Sequence, residues 1–426
     1  MNTLKVYDLP HEGAIPLGQK YIILSNDVAY LTHNIHKFPS KFIPHIPRWA
    51  IIRYLREKNR KAILDPMCGS GTTLVEGRLA GHDVYGIDID PLARLITKVK
   101  ITPLDETKLK AICSKVIKEI ETKEKGSFLP SIPTLYHWFR EDVIHDLSII
   151  RDTIEEYKDL KDIYDFLIVT FSSIIRKVSN ADNESQKTYV SHTNPKQPVP
   201  AKPEFINHLM NYADRIIQFS KKITPGTRYR VFDNADARNV DEVFKRENCQ
   251  IDLAITSPPY IKAVDYIYTQ MAEYFWIGDL FGLADQKSQN EYKRKYIGTK
   301  MVYSSEYSQL KLTGFPSIDP LIEKIFRKNK KFAYITYKFF NDMRSNLRSM
   351  HKVLNDGAHY VIVVGDCNVA GEYIPVHNII VDIANSEGYK LSNMFYYKIR
   401  NRYMRFPRKG RGGLIEHDWV LDFSKQ

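Results

Sequence analysis

Thr256-Ser257-Pro258-Pro259-Tyr260 follows the apolar run of residues 251–255, so it falls where a buried parallel strand opens into a loop. That is where an α/β protein keeps its chemistry. Two consecutive prolines lack amide protons and have fixed φ, which leaves the carbonyls of Ser257 and Pro258 free to accept hydrogen bonds from a ligand. Ser257 adds a hydroxyl and Tyr260 a flat ring. Together they can take the two hydrogens of an exocyclic amine and stack on the ring that bears it, as in a nucleobase. A Ser-Pro-Pro step also suits an ordinary linker, and a second motif decides between the two.

That motif is Asp65-Pro66-Met67-Cys68-Gly69-Ser70-Gly71-Thr72-Thr73, preceded by the apolar residues 62–64 and followed by a helical stretch through residue 80. It reads as a strand, a glycine turn and the start of a helix. Gly69 and Gly71 let the backbone approach a ligand, and the free amides at Thr72 and Thr73 favour an anionic group. Further along, residues 84–91 end a strand at Asp88, where a carboxylate can hold two ribose hydroxyls; Asp88 is preferred over Asp90. Leu74 stands where the dinucleotide fingerprint needs its last glycine, which argues against a nicotinamide enzyme.

With both motifs present, the chain resembles the amino-group DNA methyltransferases that use S-adenosylmethionine, of the Thr-Ser-Pro-Pro-Tyr type. The resemblance implies that Asp65, Pro66, Gly69, Gly71, Thr72, Thr73 and Asp88 hold the cofactor. It also implies that Lys41 and Phe42, in the segment before the glycine motif, close over its methionine end. An acidic residue after the strand 229–232 sits beside the adenine in that family; Asp236 is the matching position, and its other reading is a cap for a helix at 240–245. Ser257, Pro258, Pro259 and Tyr260 become the catalytic loop. It holds both amine hydrogens of a base flipped out of the duplex, with no covalent enzyme nucleophile.

In that family a serine at position 257 usually accompanies cytosine N4 enzymes, and aspartate or asparagine accompanies adenine N6 enzymes. Transfer to adenine N6, to RNA or to a protein amide stays open, as does a catalytically silent DNA-binding protein of the same fold. The implied partners are double-stranded DNA and a separate restriction endonuclease of a restriction-modification system. The glycine motif precedes the proline motif, the reverse of one large subgroup, so the place of target recognition does not transfer from it.

The 426 residues suffice for a large core and two lobes, and 62 Lys+Arg against 50 Asp+Glu give a net charge of +12, which favours a polyanionic partner. Cys68, Cys113, Cys249 and Cys367 have neither metal-ligand nor disulfide-framework spacing. A start without a signal-peptide pattern and the lack of a long apolar run predict a cytoplasmic protein that does not enter a membrane.

The elements that must position these residues predict an α/β fold. It has a seven-stranded Rossmann-like methyltransferase sheet, a terminal antiparallel hairpin and an inserted, mainly helical lobe. The expected divisions are 1–104 (an arm and the cofactor half), 105–227 (the insertion) and 228–426 (the catalytic half). Helices are predicted at 108–123, 142–157 and 164–175. Residues 177–203 read as a long loop whose Asn180, Asn183, Gln186, His192 and Asn194 suit base edges. An aromatic helix at 266–281 is expected to pack Tyr266, Met271, Phe275 and Trp276 into the core. The basic, tyrosine-rich run 285–315 reads as a solvated face. A helix at 339–354 is expected to stop at Gly357. The final hairpin, strands 393–399 and 418–423, carries Arg400, Arg402, Arg405, Arg408, Lys409 and Arg411 at its tip, suited to phosphates.

Overall fold

A computed structural model of the chain describes residues 3–25, 27–39, 41–56, 59–183, 185, 187–247, 249–262, 264–398 and 417–426. Arg400, Arg402, Arg405, Arg408, Lys409, Arg411 and Gln186 lie outside the described residues.

The strands are β1 (Thr3–Val6), β2 (Gln19–Ile23), β3 (Ala62–Asp65), β4 (Asp83–Ile87), β5 (Tyr229–Phe232), β6 (Ile251–Thr256), β7 (Leu354–Val364), β8 (Cys367–Val369), β9 (Glu372–Ile374), β10 (Tyr389–Lys398) and β11 (His417–Lys425). Nine of them form one sheet in the order β1-β2-β10-β11-β7-β6-β3-β4-β5, while β8 and β9 pair separately. In the large sheet β11 alone runs against its neighbours. The seven strands from β10 to β5 form the Rossmann-like sheet with its antiparallel hairpin, and β1 and β2 extend it to nine.

Parallel strands covered on both faces need apolar residues at nearly every position. Accordingly β3 is buried throughout, and in β6 only Asp252 is partly exposed. From β3 the chain steps to β4 and β5 on one side and returns through β6 and β7 on the other, so strand order reverses between β3 and β6. Such a switch point opens a crevice at the carboxyl ends of the strands. The register Leu64↔Ala254 brings those two ends together, and Thr256 Oγ1 donates to Asp65 Oδ1 at 2.7 Å. The two motifs, nearly two hundred residues apart in sequence, thus leave the sheet side by side.

Between the helix Pro91–Ile101 and β5 stand the helices Glu106–Thr122, Leu135–Trp138, Glu141–Glu155, Lys161–Val178 and Ala201–Lys222. Leu109, Leu147, Phe166, Phe171 and Phe205 from them join Trp276 in one buried cluster. The stretch before the last of these helices is tied down: the Arg176 guanidinium donates to the carbonyl of Asp182 at 2.8 Å, and Lys196 Nζ to the carbonyls of Arg176 (2.7 Å) and Ala181 (3.1 Å).

Two expected helices differ. Residues 266–281 form three short pieces, Tyr266–Thr269, Met271–Ile277 and a 3-10 turn Gly278–Phe281. The later helix spans Lys330–Val353, and Gly357, at φ +71°, lies inside β7 and not at a helix end. Among the described residues no helix is long and apolar enough to cross a membrane.

Candidate active site

At the switch point lies a cleft of about 760 Å3, a figure that includes the open solvent at its mouth. The loops after β3, β4, β5 and β6 all contribute to it, together with Phe38, Pro39, Lys41, Phe42 and residues 295–297. Of the cofactor residues expected from the sequence, Lys41, Phe42, Pro66, Gly69, Thr72, Asp88 and Asp236 line it. From the proline loop, Ser257 and Pro259 do so.

Asp65, Gly71, Thr73, Pro258 and Tyr260 stand behind or beside the lining. Gly71 is the left-handed residue at φ +83° that opens the helix Thr72–Leu79, and a Cβ there would meet Thr97 Cγ2 at 2.8 Å. Thr73 is buried and its hydroxyl points toward the Ile255 carbonyl at 3.4 Å. Pro258 is buried, and Tyr260, half-buried, turns its hydroxyl to Asp418 at 2.8 Å.

Asp65 is fully buried: Oδ1 also takes the Met67 amide at 3.1 Å, and Oδ2 has no hydrogen-bond partner among the described residues. Burial pushes its carboxyl up to about 7 against the hydrogen bonds that lower it. A carboxyl raised on folding stabilises the fold fully below its unfolded pKa of roughly 4, and that contribution drains away as pH rises through the folded value. The stability advantage of the wild-type protein over Asp65→Asn should therefore shrink between about pH 4 and pH 7 and level off above. Calorimetric melting of both cofactor-free proteins across that range checks this, and parallel curves would contradict it.

Asp88 accepts the Gly69 amide on one oxygen (2.7 Å) and the Asp90 amide on the other (2.8 Å), so strand β4 holds the glycine loop directly. Burial, with the Asp90 charge beside it, raises its carboxyl to about 6. Asp90 has a different task. It caps the helix Pro91–Ile101 through the Ala93 amide (2.9 Å) and takes the hydroxyls of Tyr296 (2.9 Å) and Tyr274 (3.2 Å). Asp236 accepts from the Arg238 side chain on both oxygens, at 2.9 and 2.5 Å, and from the Arg238 amide at 2.9 Å. It caps the turn Ala237–Asn239 while also lining the cleft. Burial alone would raise its carboxyl, but the Arg238 hydrogen bonds bring it below the ordinary value.

Sequence reasoning missed one wall. Tyr266 and Tyr296, read as core and as solvated face, both line the cleft. Their rings run nearly parallel at 5.9 Å, and the Phe38 ring is nearly parallel to Tyr266 at 5.9 Å as well. The Tyr296–Asp90 bond spans 206 positions, which no local spacing reveals. Cys68 also lines the cleft, but burial drives its thiol well above the ordinary value, which makes it a poor nucleophile.

The lining suits S-adenosylmethionine. Asp88 offers an acidic acceptor, Phe38, Ile89, Tyr296 and Ile297 offer apolar cover, and Lys41 offers a cation whose pKa burial lowers. Ser70, on the same wall, keeps a buried hydroxyl that has no hydrogen-bond partner among the described residues.

A family model described as "RMKL-like, methyltransferase domain" matches residues 49–124, which include the glycine loop and Asp88. The chain is 28% identical over 408 residues to the Type II methyltransferase M.MvaI of Kocuria varians, covering 91% of this chain and 87% of that one. It is 23% identical over 409 residues to the Type II methyltransferase M.BsoBI of Geobacillus stearothermophilus, covering 83% and 78%. To the Type II methyltransferase M.MjaII of Methanocaldococcus jannaschii it is 24% identical over 360 residues, covering 61% and 67%. With a methyltransferase-domain match over its glycine loop and Type II methyltransferases as relatives along most of its length, the chain is a Rossmann-like methyltransferase whose methyl donor is S-adenosylmethionine.

Proposed function

We propose that the chain is a site-specific DNA methyltransferase that acts on the exocyclic N4 amine of a cytosine flipped out of the duplex. The observation that carries this reading is that Ser257 and Pro259 share one cleft with Asp88 and the glycine loop. The Type II methyltransferase relatives support DNA as the substrate and a restriction-modification setting; a separate endonuclease is the partner that this proposal adds.

In this reading Asp88 accepts the ribose hydroxyls of the cofactor with the lone pairs its backbone partners leave free. The start of the helix Thr72–Leu79, Ser70 Oγ and Lys41 receive the carboxylate of its methionine end. Asp236 and Phe42 border the adenine and the methionine end. Bound there, S-adenosylmethionine supplies an electrophilic methyl sulfonium.

An exocyclic amine is a poor nucleophile because its lone pair is delocalised into the ring. The loop therefore has to hold both amine hydrogens and favour a pyramidal nitrogen. Ser257 Oγ donates its own proton to the Val363 carbonyl at 3.2 Å, which leaves the hydroxyl oxygen to accept one amine hydrogen. The Pro258 carbonyl accepts the other. Tyr260 stacks on the base, and water is kept out by the aromatic wall of Phe38, Tyr266 and Tyr296. Target recognition is shared between the loop before the helix Ala201–Lys222 and the basic stretch 400–411, the first reading base edges and the second holding phosphates.

Nucleoside mass spectrometry of DNA from a methylation-free host expressing the chain tests the reading. N4-methylcytosine is the expected product. N6-methyladenine without N4-methylcytosine would transfer the same chemistry to adenine, and neither product would point to a silent DNA-binding protein.

A further inference from the structure

The proline loop has to be held from outside, because Pro258 and Pro259 contribute no backbone donors to fix it. Three of its side chains reach neighbouring strands. Ser257 Oγ donates to Val363 on β7 (3.2 Å), Lys262 Nζ to the Asn368 carbonyl on β8 (3.1 Å), and Tyr260 Oη to Asp418 on β11 (2.8 Å). The last is a side-chain pair across a large sequence separation. Asp418 is 8% exposed, and its second oxygen accepts the hydroxyl of Tyr397, its cross-strand neighbour on β10, at 3.1 Å. Two phenol donors thus converge on one carboxylate, a group with acceptors only.

We propose that Asp418 is the positioning residue that sets the Tyr260 ring for the reacting base, with Tyr397 fixing the carboxylate from behind. The inference rests on the reading of residues 257–260 as the catalytic loop. A phenol ring swings about its χ angles unless its far end is tied, and a platform displaced by an ångström misaligns the amine with the methyl group. Asp418 touches neither base nor cofactor in this scheme; it acts through Tyr260. An amide in its place presents one acceptor and one donor. Asp418→Asn therefore forces one of the phenols to reverse its hydroxyl, and it should lie between the wild-type protein and Asp418→Ala.

The test is a double-mutant cycle on single-turnover methylation of duplex DNA with saturating S-adenosylmethionine. Tyr260→Phe and Asp418→Ala should each slow transfer on the order of 10- to 100-fold, since both release the same ring. The double variant should be no slower than the slower single one, within about twofold, and cofactor affinity should stay within about twofold of wild type. Tyr397→Phe, which leaves the Tyr260–Asp418 bond in place, should lose far less. Multiplying effects in the double variant, or a Tyr397→Phe loss equal to that of Asp418→Ala, would reduce Asp418 to a brace of the β10–β11 hairpin and overturn the proposal. Should Asp418→Ala fail to fold, Asp418→Asn decides, and wild-type turnover in it overturns the anchor. A wild-type protein that binds cofactor yet methylates no DNA defeats the catalytic reading and the anchor together, whereas normal wild-type methylation with an unaffected Asp418 variant defeats the anchor alone.

Discussion

Asp88→Ala should weaken S-adenosylmethionine binding by roughly 1–3 kcal/mol, the cost of losing a buried hydrogen-bond partner, or about 5- to 150-fold in Kd. Two losses add in the same direction. The ribose loses its acceptor, and the amides of Gly69 and Asp90 lose the carboxylate that now holds the glycine loop to the end of β4. The expected signature is a raised Kd for the cofactor, with methylation at saturating cofactor much less affected, because in the proposed reading Asp88 holds the ribose and Ser257 and Pro258 hold the amine. Titration calorimetry on the folded variant measures it. Unchanged affinity would remove Asp88 from the site.

Ser257→Ala should act on the other half of the reaction. It removes an acceptor that matters most as the amine nitrogen becomes pyramidal, so single-turnover methylation should fall on the order of 100-fold, the scale seen when one transition-state hydrogen bond is deleted. Cofactor Kd should hardly move. The Val363 carbonyl also loses its donor, and a loss of thermal stability, measured alongside, separates that local cost from the catalytic one. A variant that binds cofactor and turns over as the wild type does would take the hydroxyl out of the chemistry and leave the carbonyls to hold the amine alone.

The two halves of the cleft were legible because buried parallel strands announce themselves. β3 and β6 are short apolar runs, and a proline that cannot continue a central strand follows each: Pro66 directly after β3 and Pro258 two residues after β6. Their neighbourhood in space followed from the resemblance and not from spacing, since the Leu64↔Ala254 register joins segments far apart in the chain. β1 and β2 were not legible. They are four and five residues long, β1 is largely exposed, the residue types of β2 do not alternate between polar and apolar, and β2 joins the large sheet by pairing with β10. Tyr266 packs against the core as expected, and its second place in the cleft wall was missed for a local reason. Gln270 separates the first of the three pieces from the second, and that first piece presents Tyr266 to the cleft beside Phe38 and Tyr296. Gly357 read as a helix end because glycine at positive φ commonly closes helices, yet the same freedom serves a strand just as well. Asp418 was passed over because its value lies in partners on two other elements, Tyr260 and Tyr397, and neither distance is visible in one dimension.

In the proposed reaction this cleft moves a methyl group from S-adenosylmethionine to a cytosine amine in DNA. The most direct measurement incubates the purified protein with methyl-labelled S-adenosylmethionine and unmethylated duplex DNA, then digests the DNA and assigns the label by nucleoside. The expected result is label in N4-methylcytosine at discrete sequence positions, strongly reduced with Ser257→Ala. Label confined to adenine, or absent from DNA while RNA or protein in the same reaction becomes labelled, would contradict it.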